Sequence, residues 1–295
     1  MSEHQEHKAG FVSIVGKPNV GKSTLMNQLV GERLSIITSK AQTTRHRIMG
    51  IINDEDFQIV YSDTPGIIKP KYELHESMMR FVNSSLEDAD LILFVADVYE
   101  KFDEEDVFDR IKDVNLPVVL LVNKVDLATQ EEVKEKVEEL SRRLDPKVSM
   151  GISALHKFNT ENVLSCILEY IPEHPPFFDK DSLTDKPERF FASEIIREQI
   201  FLNYKKEVPY STEVIIESFK EEADIIRIRA VIVVERDTQK AIMIGKGGRM
   251  LKRIGSEARK QLESFFQKKV FLEQFVKVEQ HWRKNKGKLS RFGYK

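Results

Sequence analysis

Short apolar runs alternate with helical patterns through the N-terminal half of the chain. The runs have strand length and occupy residues 11–15, 48–52, 57–61, 117–122 and 147–152. Between them, apolar residues recur three or four positions apart, as at Leu25, Met26 and Leu29. This alternation predicts an α/β domain with a mostly parallel sheet and helices on both faces. A ligand of such a sheet binds beyond the carboxyl ends of its strands.

A different order of elements follows a proline-rich segment. Pro172, Pro175, Pro176 and Pro187 lie close together with aspartates among them, which is typical of a linker with limited flexibility. The pattern beyond them predicts a helix, two strands, two short helices around a glycine-rich turn, and a last strand. These are expected over residues 189–204, 211–219, 225–235, 241–255 and 270–278. We therefore predict a first domain at 8–172, a linker at 173–188 and an α+β domain at 189–295.

A complete phosphate-binding loop occupies residues 16–23, directly after the first predicted strand. Gly16 and Gly21 let the backbone curl so that its N–H groups converge on a β-phosphate, and the following helix N-terminus adds partial positive charge. Lys22 is placed to reach the β- and γ-phosphate oxygens, and the Ser23 hydroxyl to bind Mg²⁺. The residues expected to contact the nucleotide here are Gly16, Lys17, Pro18, Asn19, Val20, Gly21, Lys22, Ser23 and Thr24.

Two later segments complete a site for Mg²⁺ and the γ-phosphate. Asp63 follows the strand at 57–61 and can hold Mg²⁺ through water, while the Gly66 amide can sense the γ-phosphate. A threonine at 41–47 can join the Mg²⁺ shell only when the γ-phosphate is present. Thr44 is the preferred candidate and Thr43 the alternative. The predicted catalytic residues are Lys22, Thr44 and Gly66, the metal ligands Ser23, Thr44 and Asp63, and the other nucleotide contacts Thr64, Pro65 and Ile67.

Two further motifs select guanine, and hence GTP and GDP. Asp126 ends the Asn123-Lys124-Val125-Asp126 motif, and its carboxylate suits the ring N–H and exocyclic amine of guanine, a donor pair that adenine lacks on that edge. Asn123 would brace the loop, and the aliphatic stem of Lys124 would lie along the base. Backbone N–H groups for the guanine O6 are expected from Ser153, Ala154 and Leu155.

The glycine-rich turn of the second domain has the GxxG pattern of a KH domain. Such a loop lets a nucleic-acid backbone approach closely and clamps about four nucleotides of single strand. The α-β-β-α-α-β order around it predicts a type II KH fold. The residues expected to contact RNA are Gly245, Lys246, Gly247, Gly248, Arg249, Lys252 and Arg253. The expected core positions beside them are Ile242, Ile244, Leu251 and Ile254.

These motifs together resemble the Era family of bacterial P-loop GTPases over essentially the whole chain. The closest likeness lies in Pro18-Asn19, the segment 42–46, the Asp-Thr-Pro-Gly motif at 63–66 and the KH pattern. The resemblance implies GTP hydrolysis, binding of the 3′ end of 16S ribosomal RNA, and a role in assembly and maturation of the 30S subunit. Ile67 stands where Ras-like proteins have a water-orienting glutamine, which implies slow intrinsic hydrolysis. The resemblance also suggests a K⁺ ion held partly by Asn19, whose alternative role is to brace the loop.

The charge distribution agrees with a polyanion-binding C-terminal end. The chain has 46 Lys and Arg against 48 Asp and Glu, whereas residues 241–295 have 15 against 4. This asymmetry favours a nucleic-acid partner and is also compatible with contact to the inner face of an anionic membrane. We otherwise expect a cytoplasmic protein, because no signal peptide or membrane-spanning stretch is evident, and we expect it to be a monomer. The single cysteine, Cys166, lies in a predicted core helix and excludes an internal disulfide.

Two classes of function remain open on this evidence. The first is an enzyme whose GTP state gates RNA and ribosome binding; the second is a constitutive RNA-binding protein with a structural G domain. The intact nucleotide motifs favour the first, and the KH domain argues against a further option, a GTPase acting on tRNA modification or at membranes. Trp282 could stack on a base or close the domain core. His46, His75 and His156 have no spaced partner and are predicted to be solvated or packing residues.

Overall fold

The computed structural model describes residues 7–101 and 105–294 and divides the chain into two compact units. The first unit comprises Met1–Ser35, Thr44–Lys69 and Met78–Asp185, and the second Ile36–Thr43, Pro70–Ser77 and Lys186–Lys295. Two short segments of the N-terminal half therefore belong to the second unit. Met1–Glu6, which the signal-peptide prediction concerns, and Lys295 of the predicted KH domain lie outside the described residues.

The sheet of the first unit is mostly parallel, as predicted. Its strands are β1 (Lys8–Val15), β2 (Ile48–Asn53), β3 (Phe57–Asp63), β4 (Leu91–Asp97), β5 (Val118–Asn123) and β6 (Val148–Gly151). They are ordered β2-β3-β1-β4-β5-β6, and only the edge pairing of β2 with β3 is antiparallel. Every residue of β5 is buried, which explains its uninterrupted apolar sequence. The carboxyl ends of the five parallel strands lie at one edge of the sheet.

Helices connect these strands, and local sequence sets their ends. They are α1 (Lys22–Val30), α2 (Glu73–Glu87), α3 (Glu105–Asp113), α4 (Gln130–Leu144) and α5 (Thr160–Tyr170). α4 begins with a capping box, in which the Glu132 N–H donates to Thr129 Oγ1 and the Thr129 N–H donates back to Glu132. Cys166 is buried in α5, as expected, and burial raises the pKa of its thiol.

The proline-rich segment is attached to the first unit for most of its length. The Ile51 N–H donates to the Leu183 carbonyl, at 2.9 Å, and the Thr184 hydroxyl donates to the Met49 carbonyl, at 2.6 Å. The Gln58 side chain also accepts from the N–H groups of Phe177 and Phe178. Residues up to Asp185 thus group with the first unit, whereas the predicted linker extends over 173–188. The difference arises because the edge strand β2 leaves backbone groups that this segment can pair with.

The second unit has the predicted α-β-β-α-α-β order. Its elements are α6 (Glu188–Asn203), β7 (Glu213–Glu221), β8 (Ile225–Val234), α7 (Asp237–Ile244), α8 (Arg249–Phe266), β9 (Lys269–Val278) and a short α9 (Lys286–Arg291). β8 lies between β7, its antiparallel neighbour, and β9, its parallel neighbour. α8 has 18 residues and is not the short helix expected. Its buried Ile254, Ala258 and Leu262 recur every four positions, which continues one apolar face along its length.

In the second unit, one residue differs from its sequence-based expectation, and for another the structure decides between two alternatives. Ile242 was expected in the core but is 48% exposed, whereas its neighbour Met243 is fully buried. Gln239 and Met243, four positions apart, form the inward face of α7, and Ile242 lies outside that face. Trp282 is fully buried and its Nε1–H donates to the Ser211 carbonyl at 3.0 Å, so it packs in the core and does not stack on a base.

The three histidines are held by ordinary contacts. His46 packs against Phe81, and His75 is buried against the ring of Tyr72. His156 is exposed, and its Nε2 lies 3.7 Å from Asp126 Oδ2. Among residues 7–101 and 105–294, no helix has both the length and the apolar character that crossing a bilayer requires.

Candidate nucleotide and RNA sites

The phosphate-binding loop joins β1 to α1, at the sheet edge where the strands end. Gly21, the N-cap of α1, has φ 102°, and a Cβ there would lie 2.2 Å from Asn123 Nδ2. A Cβ on Gly66 would lie 2.5 Å from the backbone nitrogen of Pro18. Only glycine fits at these two positions, which bring the phosphate loop against two later loops of the chain.

Lys22 lies across the phosphate loop and is almost fully buried. Its Nζ donates to the carbonyls of Gly16, at 3.1 Å, and Lys17, at 2.7 Å. Burial lowers the pKa of its ammonium to about 8, and the charges of Asp63 and Glu100 oppose that shift. The loop carbonyls therefore hold one positive group over the position where a polyphosphate chain is expected.

The three predicted metal ligands meet at one point. Ser23 Oγ donates to Asp63 Oδ2 at 2.6 Å, and the Ser23 and Thr44 hydroxyls are 2.9 Å apart. The Thr44 hydroxyl also lies 3.5 Å from Asp63 Oδ2. Burial raises the pKa of the Asp63 carboxyl, while the Ser23 hydrogen bond and the Lys22 charge oppose the shift. Two hydroxyls and a buried carboxylate form the oxygen-rich donor set that suits Mg²⁺.

The alternative metal ligand, Thr43, is differently placed. Its hydroxyl donates to the Lys40 carbonyl at 2.7 Å and lies 2.6 Å from the Thr38 hydroxyl. Thr43 also belongs to the segment Ile36–Thr43 of the second unit, whereas Thr44 belongs to the first. The geometry thus favours Thr44 at the metal position, because its hydroxyl shares partners with the other two ligands.

Asn123 links three loops of the first unit. It lies at the end of β5 and is 3% exposed. Its Nδ2 donates to the Val20 carbonyl at 2.8 Å, and its Oδ1 accepts from the Ala154 N–H at 2.9 Å. The side chain therefore holds the phosphate loop and the loop after β6 in one arrangement, consistent with the bracing role expected of it.

The residues predicted to recognise the base also lie close together, and two N–H groups expected to contact guanine are already hydrogen-bonded within the protein. Asp126 Oδ1 accepts from the Ser153 hydroxyl at 2.5 Å, so its carboxylate is oriented from the loop after β6. The N–H of Ser153 donates to the Phe158 carbonyl, and that of Ala154 donates to Asn123. Donation of these two N–H groups to guanine would require those bonds to be shared or exchanged.

Asp97 was not among the predicted site residues, yet it pairs with Lys124, which is predicted to lie along the base. Asp97 ends β4, and its Oδ2 lies 2.5 Å from Lys124 Nζ. This ion pair fixes the Lys124 stem, which is expected to lie along the base. A signal was present, because Asp97 is a polar residue at a strand carboxyl end, like Asp63 and Asn123.

The GxxG loop forms an exposed turn between α7 and α8. Gly245, Gly247 and Gly248 all have positive φ, at 70°, 60° and 77°. A Cβ added at Gly247 or Gly248 would meet no atom within 4 Å, so this side of the turn is open. The open surface meets the requirement that a nucleic-acid backbone approach closely.

The predicted basic contacts surround this turn and are exposed. Lys246, Arg249, Lys252 and Arg253 follow one another from the loop into the first turns of α8. Arg249 Nε donates to the Lys246 carbonyl at 3.2 Å, and Arg253 Nε pairs with Glu257 at 2.9 Å. Lys252 and Lys246 are therefore the better placed of these side chains for a phosphate, since Arg253 is already paired.

Comparison with known proteins assigns both units. The family described as 50S ribosome-binding GTPase matches residues 11–124, and the KH domain family matches residues 207–283. A protein of Geotalea daltonii named GTPase Era is 46% identical over 297 residues, covering 100% of both chains. The chain belongs to the Era family of GTPases. Another GTPase Era, from Ruminiclostridium cellulolyticum, is 42% identical over 98% of each chain.

Solved Era structures have the same fold over nearly the whole chain. A variant of Aquifex aeolicus Era bound to GDP and AlF4⁻ has a TM-score of 0.93 and 40% identity, covering 97% of this chain and 99% of that chain. Era in complex with MgGDPNP and nucleotides 1506–1542 of 16S ribosomal RNA has a TM-score of 0.94 and 40% identity, covering 98% and 99%. This Era-family chain is thus a GTPase with a C-terminal KH domain.

Proposed function

We propose that this protein is a GTP-hydrolysing switch that binds the 3′ end of 16S ribosomal RNA and assists assembly and maturation of the 30S subunit. The observation that carries the proposal is its likeness, over 98% of the chain, to an Era complex containing both MgGDPNP and that RNA segment. The exposed GxxG turn and the basic C-terminal end of this chain support it independently. We propose a cytoplasmic monomer, with secondary contact to the inner membrane face through the basic end.

We propose that Lys22, Thr44 and Gly66 act on the γ-phosphate, with Ser23, Thr44 and Asp63 as the Mg²⁺ ligands. Mg²⁺ would neutralise phosphate charge as water attacks the γ-phosphorus. Two carbonyls of the phosphate loop hold Lys22 in place, so its positive charge is available to stabilise the negative charge that develops on the phosphate oxygens. Ile67 offers water no side-chain partner, and its N–H already donates to the Gly16 carbonyl, so the intrinsic rate should be slow.

We propose a second, monovalent cation at Asn19. Asn19 has φ 66°, a left-handed conformation that asparagine tolerates in turns, and it lies within the phosphate loop. Hydrolysis should then be faster in potassium than in sodium, and Asn19→Ala should remove that difference while retaining GDP affinity. Equal rates of the wild-type protein in the two salts would leave Asn19 with a bracing role only.

We propose the domain bounds 8–172 for the GTPase domain, 173–188 for the connecting segment and 189–295 for the KH domain. The matched families at 11–124 and 207–283 fall inside these bounds. Expression of residues 1–188 alone should give a protein that hydrolyses GTP but does not bind RNA.

The central test replaces both glycines of the open turn, as Gly247→Asp with Gly248→Asp. The carboxylates place negative charge where RNA phosphates are expected, so affinity for an oligonucleotide of the 16S 3′ end should fall about a hundredfold or more. GTP hydrolysis without RNA should not change. The matched control is the double Asn variant, which has the same shape and backbone preference without the charge, and should lose less affinity. Wild-type RNA affinity in the folded double Asp variant would refute RNA binding at the GxxG turn.

A further inference from the structure

Arg47 is a buried cation between the proposed metal ligand Thr44 and the edge strand β2. Its side chain is 9% exposed, although arginine is one of the residue types that are rarely buried. The ladder between β2 and β3 begins with Ile48, which lies opposite Asp63. Sheet pairing therefore fixes the chain from Ile48 onward, and Arg47 is the first residue outside it, on the side of Thr44. Whatever holds Arg47 in place also bears on the position of Thr44.

The guanidinium of Arg47 joins three parts of the first unit. Its Nε donates to Ser62 Oγ at 3.0 Å, and Ser62 is the buried β3 residue directly before the Asp-Thr-Pro-Gly motif. Its Nη1 donates to Ser84 Oγ in α2 at 3.1 Å and pairs with Asp88, just beyond the end of that helix. Arg47 thus connects the chain beside Thr44 with the strand before that motif and with the helix after it.

The buried hydrogen bonds, and not the ion pair, give this arrangement its geometry. The Asp88 side chain is 54% exposed, so its attraction to Arg47 is screened by water and contributes little. The bond to Ser62 is buried, and a planar guanidinium directs its Nε and Nη1 donors at fixed angles. Nη2 is buried and has no hydrogen-bond partner among the described residues, which costs stability. An arginine that leaves one donor unpaired is not optimal for stability alone, which favours a role in positioning.

We propose that Arg47 positions the Thr44 hydroxyl at the Mg²⁺ site. The proposal rests on the Mg²⁺ ligands proposed above, Ser23, Thr44 and Asp63. Thr44 Oγ1 lies 2.9 Å from Ser23 Oγ and 3.5 Å from Asp63 Oδ2. Only three residue steps, or about 10 Å of extended chain, separate Thr44 from Arg47. Mg²⁺ requires nearly ideal octahedral geometry, so a loose chain at Arg47 would carry Thr44 away from its ligand position.

The effect of Arg47 should depend on the bound nucleotide. Thr44 is expected to bind Mg²⁺ only when a γ-phosphate is present, whereas Ser23 is expected to bind it with either nucleotide. The test therefore compares methylanthraniloyl-labelled GDP with the same label on GDPNP, a GTP analogue that is not hydrolysed. For each, release of the labelled nucleotide is followed by fluorescence, and the Mg²⁺ concentration that slows release half-maximally is measured.

Arg47→Met keeps an apolar stem of similar length and removes every donor. With GDPNP it should raise the half-maximal Mg²⁺ concentration about tenfold or more, as expected for loss of an outer-shell contact, and with GDP less than about twofold. A change with GDP at least as large as with GDPNP, or no change with GDPNP, would overturn the proposal.

Two further variants separate hydrogen-bond geometry from charge. Arg47→Lys retains the charge but has one side-chain nitrogen, which cannot meet Ser62 and α2 together. It should behave like Arg47→Met, and full recovery with lysine would overturn the proposal, because charge alone would then be sufficient. Ser62→Ala removes only the acceptor in β3, and it remains informative if the Arg47 variants do not fold. It should reproduce part of the change with GDPNP, and an unchanged Mg²⁺ requirement would count against the proposal as well.

A matched control separates positioning from loss of stability. Arg143→Met removes another mostly buried arginine of the first unit, in α4, and should leave the Mg²⁺ requirement unchanged with both nucleotides. A change as large as that of Arg47→Met would attribute the effect to lost stability and overturn the positioning role.

Failure of this proposal is distinguishable from failure of the proposed Mg²⁺ site. Ser23→Ala should raise the Mg²⁺ requirement with both nucleotides, and Thr44→Ala should raise it with GDPNP. If both variants leave the requirement unchanged, the proposed ligand set is wrong. If they raise it while Arg47→Met does not, only the role of Arg47 is wrong.

Discussion

Replacing Asn123 by alanine removes the side chain that connects the phosphate loop with the loop after β6. Two hydrogen bonds are lost, to the Val20 carbonyl and from the Ala154 N–H, and both partners are left in a buried region. A buried group left without a partner costs about 1–3 kcal/mol. We expect the free energy of unfolding of the first unit to fall by about 3 kcal/mol. With a urea m-value of about 2–3 kcal/mol/M, the unfolding midpoint should fall by about 1 M.

Circular dichroism in urea measures this shift, and the single tryptophan gives an internal reference. Trp282 is buried in the second unit, so its fluorescence reports unfolding of that unit. Calorimetry with GDP should show at least about tenfold weaker binding. In the variant, part of the binding free energy is needed to order the phosphate loop and the loop after β6. The matched control is Asn162→Ala, an exposed asparagine of α5, with little effect expected. An unchanged midpoint together with unchanged GDP affinity in Asn123→Ala would refute the bracing role.

Three other changes test different parts of the molecule. Asp126→Asn should lose GTP affinity and gain affinity for xanthosine triphosphate, since the extra carbonyl of xanthine accepts where the guanine amine donated; calorimetry with both nucleotides checks this, and unchanged GTP affinity would contradict it. Chelation of Mg²⁺ with EDTA should abolish phosphate release, and Ser23→Ala should raise the Mg²⁺ concentration needed for half-maximal hydrolysis; an unchanged requirement would remove Ser23 from the ligand set. Glu194→Ala should destabilise the second unit by about 3–5 kcal/mol, because the guanidinium of Arg197, 1% exposed, would remain buried without its carboxylate partner. Trp282 fluorescence during unfolding measures this loss. A small loss would show that Arg197 finds another partner.

Residues that act through their own backbone or local chemistry were predictable from the sequence. The phosphate loop, the GxxG turn and the strand pattern need only glycines, charges and apolar residues at fixed spacing along the chain. The carboxyl ends of parallel strands meet at one edge, so Asp63, Asn123 and Asp126 could be assigned to one site before any distance was known.

Contacts between distant parts of the chain decided the rest. The sequence could only rank Thr44 ahead of Thr43, and the position of Asp63 in the fold then separates their hydroxyls. Ile242 is 48% exposed because of how α7 is rotated about its own axis against the core. In a helix this short, the sequence pattern alone does not determine that rotation. In the sequence, Gln274 is an ordinary residue of the predicted strand at 270–278. Only the fold shows that its side-chain amide lies over Gly255. Each of these depends on packing between residues far apart in sequence, which local propensity and periodicity do not determine.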